Sequence, residues 1–170
     1  MICPPGVFDA TGALFYRNAA NGAFMFTSRY RLSDSESLFQ TASMYPDVFK
    51  PRPAESHKGT YGTLAVIGGA EGMGGAVVLA ATAAAYAGCG KVWAGFNQRQ
   101  LPFAVIDGRP EIMLATAQNL LLRNDADARA VGCGLGLGEA ASGIVAAALS
   151  EADGKPLLLD ADALTLLSRS

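Results

Sequence analysis

The chain has 170 residues, 51% of them apolar, and 13 basic against 15 acidic side chains set the formal net charge at -2. That length suits one globular domain or part of one. Balanced charge and few, scattered aromatics leave neither a basic stripe for a phosphate backbone nor a base-stacking platform, which argues against nucleic acid as a main partner.

Charged residues are only 16%, while 20 glycines and 31 alanines lower the mean side-chain volume, so much of the chain is expected to be buried. The N-terminus has neither a basic n-region nor a continuous apolar h-region, so no secretion signal is read and cytoplasm is the expected compartment. Cys3, Cys89 and Cys133 lack disulfide or metal-ligand spacing and are expected to be free thiols; no metal site is expected.

Residues 1 to about 55 carry no long apolar period and end in Pro46, Pro51 and Pro53, as a leader or linker would. The first thirty residues give no usable signal, and a short helix is expected around Asp34 to Ser43. Thr63 to Ile67 is an apolar run ending in Gly68 and Gly69, as expected for a strand buried on both faces. Gly74 to Ala87 predicts a helix closed by Gly88. Its core, Ala76 to Ala87, is well short of the roughly 20 residues that span a bilayer, so it reads as a buried helix and no membrane partner is expected.

Lys91 to Ala94 predicts a strand, Gln98 to Ile106 a helix interrupted by Pro102, Glu111 to Leu114 a strand and Ala117 to Arg123 a helix. Ala128 to Gly132 is again strand-like, Ala140 to Ala152 helical, Pro156 to Leu159 strand-like and Ala161 to Leu167 helical. Strands alternating with helices predict an α/β fold, a doubly wound, mostly parallel sheet with helices on both faces. Ligands of such sheets sit beyond the carboxyl ends of the strands, which singles out Gly68 to Gly75, Gly132 to Gly138 and Asp160 to Asp162.

The first segment, GGAEGMGGA, brings five glycines to a strand-to-helix turn, where a ligand can approach bare backbone and a helix N-terminus favours anions. A tight turn with close helix-sheet packing accounts for the same glycines equally well. In the dinucleotide frame starting at Gly72, Val77 stands where the third glycine belongs. In the P-loop frame, Ala85 replaces the first glycine and Val92 the Ser or Thr. Both motifs are therefore disfavoured.

The second segment, GCGLGLG, can close over a flat or phosphorylated ligand or simply make a flexible turn. In the third, LLLDADAL, Asp160 or Asp162 is expected as a helix N-cap or dipole partner, with a ligand hydroxyl or hydrated metal near Asp160 as the alternative. His57, the only histidine, is expected at the surface or in a cap, and Lys58 is either solvated or within reach of an anion.

In order along the chain, HKGTYG, the GMGGA stretch, RPEIML, GCGLGLG and LLLDADAL resemble the ADP/ATP-dependent NAD(P)H-hydrate dehydratases of the ribokinase-like superfamily, over about Pro51 to Leu167. The resemblance implies nicotinamide nucleotide repair: ADP or ATP, with Mg²⁺ implied by nucleotide use, phosphorylates the hydroxyl of hydrated NAD(P)H (NAD(P)HX), and elimination restores NADH or NADPH. It implies that Ala76 and Gly134 line the hydrated-nicotinamide site, with Gly75 and Gly136 beside them. Lys58, Gly59, Tyr61 and Gly62 would form an associated motif, and Asp160 would lie near where the two ligands meet.

Two departures accompany it. Cys133 stands where the family usually has proline, and the family's PHPGE and GTGD motifs, the latter carrying the catalytic base, do not occur. The expectation is a leader or linker over 1-50 and an apparently truncated N-terminal portion of a ribokinase-like domain over 51-170, with no catalytic residue within the chain and the catalytic Asp beyond Ser170. Exposed sheet edges would make it a homo-oligomer or prone to aggregate. A small-molecule kinase and an inactive binding or assembly fragment are the alternative functions.

Overall fold

In the computed structural model, which describes residues 6-8, 13-17, 24-29, 43-45, 52-151 and 154-169, the chain divides into two units, Met1–Pro51 and Arg52–Ser170. The first contains strands β1 (Gly6–Phe8), β2 (Ala13–Arg17) and β3 (Phe24–Arg29), which pair antiparallel in the order β1-β2-β3 with an irregularity between Leu14 and Phe15. The stretch expected to be a leader or linker thus holds a meander. Three strands that follow one another directly among the described residues offer none of the strand-helix alternation by which an α/β sheet is read from sequence. The helix expected over 34-43 lies outside the described residues, except for Ser43.

The second unit is a five-stranded, all-parallel sheet in the order β6-β5-β4-β7-β8. Its strands are β4 (Thr63–Gly68), β5 (Lys91–Phe96), β6 (Met113–Thr116), β7 (Ala128–Val131) and β8 (Leu157–Leu159). The helices are α1 (Gly74–Tyr86), α2 (Ala117–Leu121), α3 (Glu139–Ser150) and α4 (Asp162–Leu167), and a 3-10 turn at Lys58–Tyr61 precedes β4.

β4 supplies both cores, as its unbroken apolar run requires. Ala65 and Ile67 face one core with Leu120, Leu135, Ile144 and Val145, while Val66 faces the other with Val77, Ala81, Val92 and Phe96. Helices therefore cover both faces, α1 on one and α2, α3 and α4 on the other. The expectation of a buried α1 holds for one stripe only. Val77 and Ala81 are buried, but Leu79 and Tyr86 are each 74% exposed, because a helix lying on a sheet meets it along one side.

The helix expected over Gln98 to Ile106 is absent, and the chain runs through bends and turns there. Pro102 removes a helical donor, and Asn97 and Gln98 commit their amides elsewhere. The strand expected at Glu111 to Leu114 lies two residues later, as β6.

Candidate functional site

The strand order reverses at β4. From it the chain winds outward through β5 to β6, then returns to the other flank as β7 and β8. The crevice beyond the carboxyl ends of β4 and β7 is thus the topological switch point of the sheet, where open α/β folds hold their ligands. Both glycine-rich loops open into that crevice, one after each of these strands.

The loops are joined through backbone. Gly69 N–H donates to the Cys133 carbonyl at 3.0 Å and Ala70 N–H to the Gly134 carbonyl at 2.7 Å, extending the pairing past the strand ends. Gly134, at φ +60°, has no room for a side chain. A Cβ there would lie 3.0 Å from Met73 Cβ and 3.1 Å from the Ala76 methyl. The structure therefore brings Ala76 and Gly134 face to face, one from each loop. Gly75 lies in open space at the start of α1. No side chain caps α1 and its first turn holds no acid, so its leading N–H groups offer a positive dipole end.

The third segment meets the expectation in part: Asp162 lies in the first turn of α4, where a dipole partner is expected. Neither Asp160 nor Asp162 is the N-cap of α4. That position is Ala161, whose φ of 44° and ψ of -113° make it the one non-glycine residue with positive φ among the described residues. Such strain costs roughly 1–3 kcal/mol and must be held by its surroundings. Here the Asp160 carbonyl accepts from Ala163 N–H at 3.0 Å, and the Asp162 carboxylate accepts from Gly136 N–H at 2.8 Å. Asp162 ties the second glycine loop to the start of α4, whereas the Asp160 carboxylate is exposed and accepts no hydrogen bond from the described residues.

Cys133 is half-buried between these elements. Burial pushes its thiol above the usual value of 9.0, its own backbone hydrogen bond opposes that, and the Asp160 and Asp162 charges add to the rise. It stays protonated and unreactive near neutrality. Cys89 and Cys133 are both free, and Cys3 lies outside the described residues.

Lys58, Gly59, Tyr61 and Gly62 lie at the other end of β4, about 20 Å away at ~3.3 Å per residue, and this unit does not bring them to the glycine loops. His57 is the cap of that 3-10 turn: its Nδ1 accepts from Gly59 N–H while its own N–H donates to Thr60 Oγ1. Tyr61 donates to Ser56 Oγ at 2.6 Å and carries the Arg52 guanidinium over its ring, and Lys58 is exposed.

The sequence reading missed Asn97, Gln98 and Arg99, which follow β5 at the same edge of the sheet. Asn97 Nδ2 donates to the Leu135 carbonyl at 2.8 Å and Gln98 Nε2 to the Gly69 carbonyl at 2.9 Å, so this segment clamps both glycine loops. Two cavities of about 530 and 340 Å³ adjoin it. A polar run directly after a strand was the available signal, but the helix expected there obscured it. Among the described residues no three His, Cys, Asp or Glu side chains gather as a metal cage, and no helix is long and apolar enough to cross a membrane. This edge of the sheet presents the free N-terminus of α1, small side chains and two exposed carboxylates, Glu71 and Asp160.

Known proteins share this arrangement. A family profile described as NAD(P)H-hydrate dehydratase matches residues 64–170. The ADP-dependent (S)-NAD(P)H-hydrate dehydratase of Neisseria meningitidis serogroup B is 63% identical over 131 residues, covering 77% of this chain and 44% of that protein. The bifunctional NAD(P)H-hydrate repair enzyme of Coxiella burnetii is 38% identical over 155 residues, covering 82% of this chain and 31% of the relative. This chain thus spans less than half the length of these curated relatives.

Among solved structures, a ribokinase-like superfamily protein from Enterococcus faecalis superposes with a TM-score of 0.67 at 26% identity, over 75% of this chain and 46% of its own. The Bacillus subtilis ADP/ATP-dependent NAD(P)H-hydrate dehydratase, co-crystallized with ATP/Mg²⁺, superposes with a TM-score of 0.59 at 32% identity, over 69% of this chain and 43% of its own. With the profile matching from the second residue of β4 onward and the glycine loops meeting at the switch point of a ribokinase-like sheet, the chain belongs to the NAD(P)H-hydrate dehydratase family.

Proposed function

We propose that this chain forms the substrate-holding part of an enzyme that repairs hydrated NAD(P)H. The observation that carries the proposal is the contact of Ala76 and Gly134 beyond the ends of β4 and β7, two small residues that together offer a flat, side-chain-poor surface for a nicotinamide ring to lie against. An adenine nucleotide, ADP or ATP, supplies the phosphoryl group that converts the ring hydroxyl into a leaving group. This chain's residues bind and orient: the glycine loops accept the ring, Gly75 leaves backbone accessible, Gly136 is held in place by Asp162, and the Asp160 carboxylate stands at the crevice rim. The described residues make no metal cage of their own, so Mg²⁺ would arrive on the nucleotide phosphates.

Self-association belongs to the same reading. The outer edges of β6 and β8 carry no partner strand within the five-stranded sheet, and Leu158 on β8 is 59% exposed. A homo-oligomer working in the cytoplasm fits these features and the metabolic role. The test of function is to supply hydrated NADH with ADP or ATP and Mg²⁺ to this chain, alone and joined to the remainder of the Neisseria relative. Recovery of reduced-nicotinamide absorbance by the joined protein, abolished by Gly134→Val, is expected. A phosphorylated product accumulating without recovery would replace the dehydratase reading with a kinase, and an inert joined protein would overturn both.

A further inference from the structure

Four of the described arginines are already engaged. Arg52 donates to the Gly88 carbonyl and stacks over Tyr61, Arg109 pairs with Glu111 and stacks over Tyr86, and Arg123 pairs with Asp125 and stacks over Trp93. Arg129 is buried and gives its guanidinium to backbone carbonyls. Arg99 differs. Its guanidinium takes part in no hydrogen bond, ion pair or ring contact with the described residues, it is exposed, and it borders both cavities at the carboxyl edge of the sheet.

The backbone that presents Arg99 is fixed, because the two residues before it are tied to Leu135 of one glycine loop and Gly69 of the other. A guanidinium with five N–H donors and no internal acceptor, projecting from such a base, suits an anion with paired oxygens. The two cavities differ in charge, the larger holding one acid beside Arg99 and the smaller none. The larger includes Glu71, whose carboxylate opposes an anion; the smaller, about 340 Å³, is lined by Asn97, Gln98, Arg99, Thr116, Gln118 and Ala140, none of them acidic. Thr116 Oγ1 accepts from Asn119 N–H, which leaves its O–H to donate.

We infer that Arg99, with Thr116 and Gln118, forms a phosphate subsite that anchors the pyrophosphate of the dinucleotide whose nicotinamide lies against Ala76 and Gly134. The position of the ring rests on the repair function proposed above; the phosphate subsite is a property of the cavity itself. An adenine nucleotide presents the same oxygens, so the test separates the two sources.

The chain, Arg99→Ala, Arg99→Lys and Gly134→Val are titrated calorimetrically with NADH, ADP and inorganic pyrophosphate, with Arg169→Ala, on the apolar groove between α3 and α4, as control. Arg99→Ala should weaken NADH and pyrophosphate about tenfold, the loss expected for one charge-assisted pair. Arg99→Lys should lose less, Arg169→Ala nothing, and the melting temperature of Arg99→Ala should not move. A loss confined to ADP would overturn the assignment to the dinucleotide. Absence of binding by the parent chain would overturn the subsite and the ring site together; NADH binding that responds to Gly134→Val but not to Arg99→Ala would overturn the subsite and leave the ring site standing. Pyrophosphate held through Arg99 in a protein without repair activity would overturn the repair reading and support the subsite.

Discussion

The Asp162 carboxylate accepts a hydrogen bond from Gly136 N–H at 2.8 Å, and through that bond the strained turn at Ala161 is coupled to the glycine loop that follows β7. The acid is not an N-cap of its own helix. It spans 26 positions of sequence to fix the loop on which Gly134 sits. Asp162→Ala should destabilise the chain by about 1–3 kcal/mol, since a charge-assisted bond is lost and Gly136 N–H is left unpaired. Asp162→Asn keeps an acceptor oxygen and should recover part of that. Urea denaturation measures the cost, and exchange of the Gly136 amide, faster in Asp162→Ala than in Asp162→Asn, tells local release from general loosening.

Two glycines should respond in opposite directions. Gly132, at φ +131°, packs so closely that a Cβ would collide with the Asp160 carbonyl, so Gly132→Ala should cost about 3 kcal/mol or more. Gly75 opens α1 with open space around it, and Gly75→Ala should be neutral or stabilise by up to about 1 kcal/mol. If the ligand approaches the α1 N-terminus, Gly75→Ala will nonetheless weaken NADH binding. Melting and titration of the same two variants decide this, and a Gly75→Ala protein that binds normally would place the ligand elsewhere.

Arg129 lies on β7 at 6% exposure and joins the ends of two helices. Its guanidinium donates to the Leu121 and Arg123 carbonyls at the end of α2 and to the Glu151 carbonyl at the end of α3, groups that a helix leaves without partners. Arg129→Ala should cost roughly 2–4 kcal/mol in chemical denaturation. Arg129→Lys should recover only a minor part, since one ammonium does not reach both helix ends. Equal stability of the parent and Arg129→Ala would show that water replaces these bonds.

Two pH limits follow from named groups. Arg123 donates to both Asp125 oxygens, at 2.9 and 2.8 Å, and those bonds, aided by its charge, hold the Asp125 carboxyl below the usual 3.8. The folded value lies below the unfolded one, so the stabilisation is present above about pH 3.8 and is lost as pH falls through the depressed value. Burial holds the Cys89 and Cys133 thiols above 9.0, so their contribution is present below pH 9.0 and is lost as pH rises through the folded values. Melting temperature against pH should therefore droop at both extremes. Asp125→Asn should flatten the acid side slightly, the pair being exposed, and Cys133→Ala should flatten the alkaline side.

The legible parts of this protein were those whose signal is local. The TLAVI run declared a strand buried on both faces, and β4 supplies both cores. The Gly74 start and Gly88 end bracketed α1 to within a residue or two. The strands of the first unit were illegible because, among the described residues, no helix separates them to mark the alternation that revealed β4 to β8, and the segment after β5 was misread because helix propensity cannot register that Asn97 and Gln98 bond to distant carbonyls. The Asp160-Ala161-Asp162 turn was located correctly and Asp162 stands in the first turn of α4, where a dipole partner is expected, yet neither acid is the N-cap and the Asp162 carboxylate goes to Gly136 N–H.

By itself the sequence determined the α/β class, the three loops at strand ends and the family resemblance, because buried runs, glycine turns and motif order are properties of neighbours along the chain. Only the tertiary structure decided that β7 returns to the flank of β4, so that Ala76 meets Gly134, Asp162 reaches Gly136, and an unpartnered Arg99 stands beside a cavity without acids. Ala76 and Gly134 are 58 positions apart and Gly136 and Asp162 are 26, and such pairings are set by strand order and right-handed crossovers, which no local window of sequence encodes.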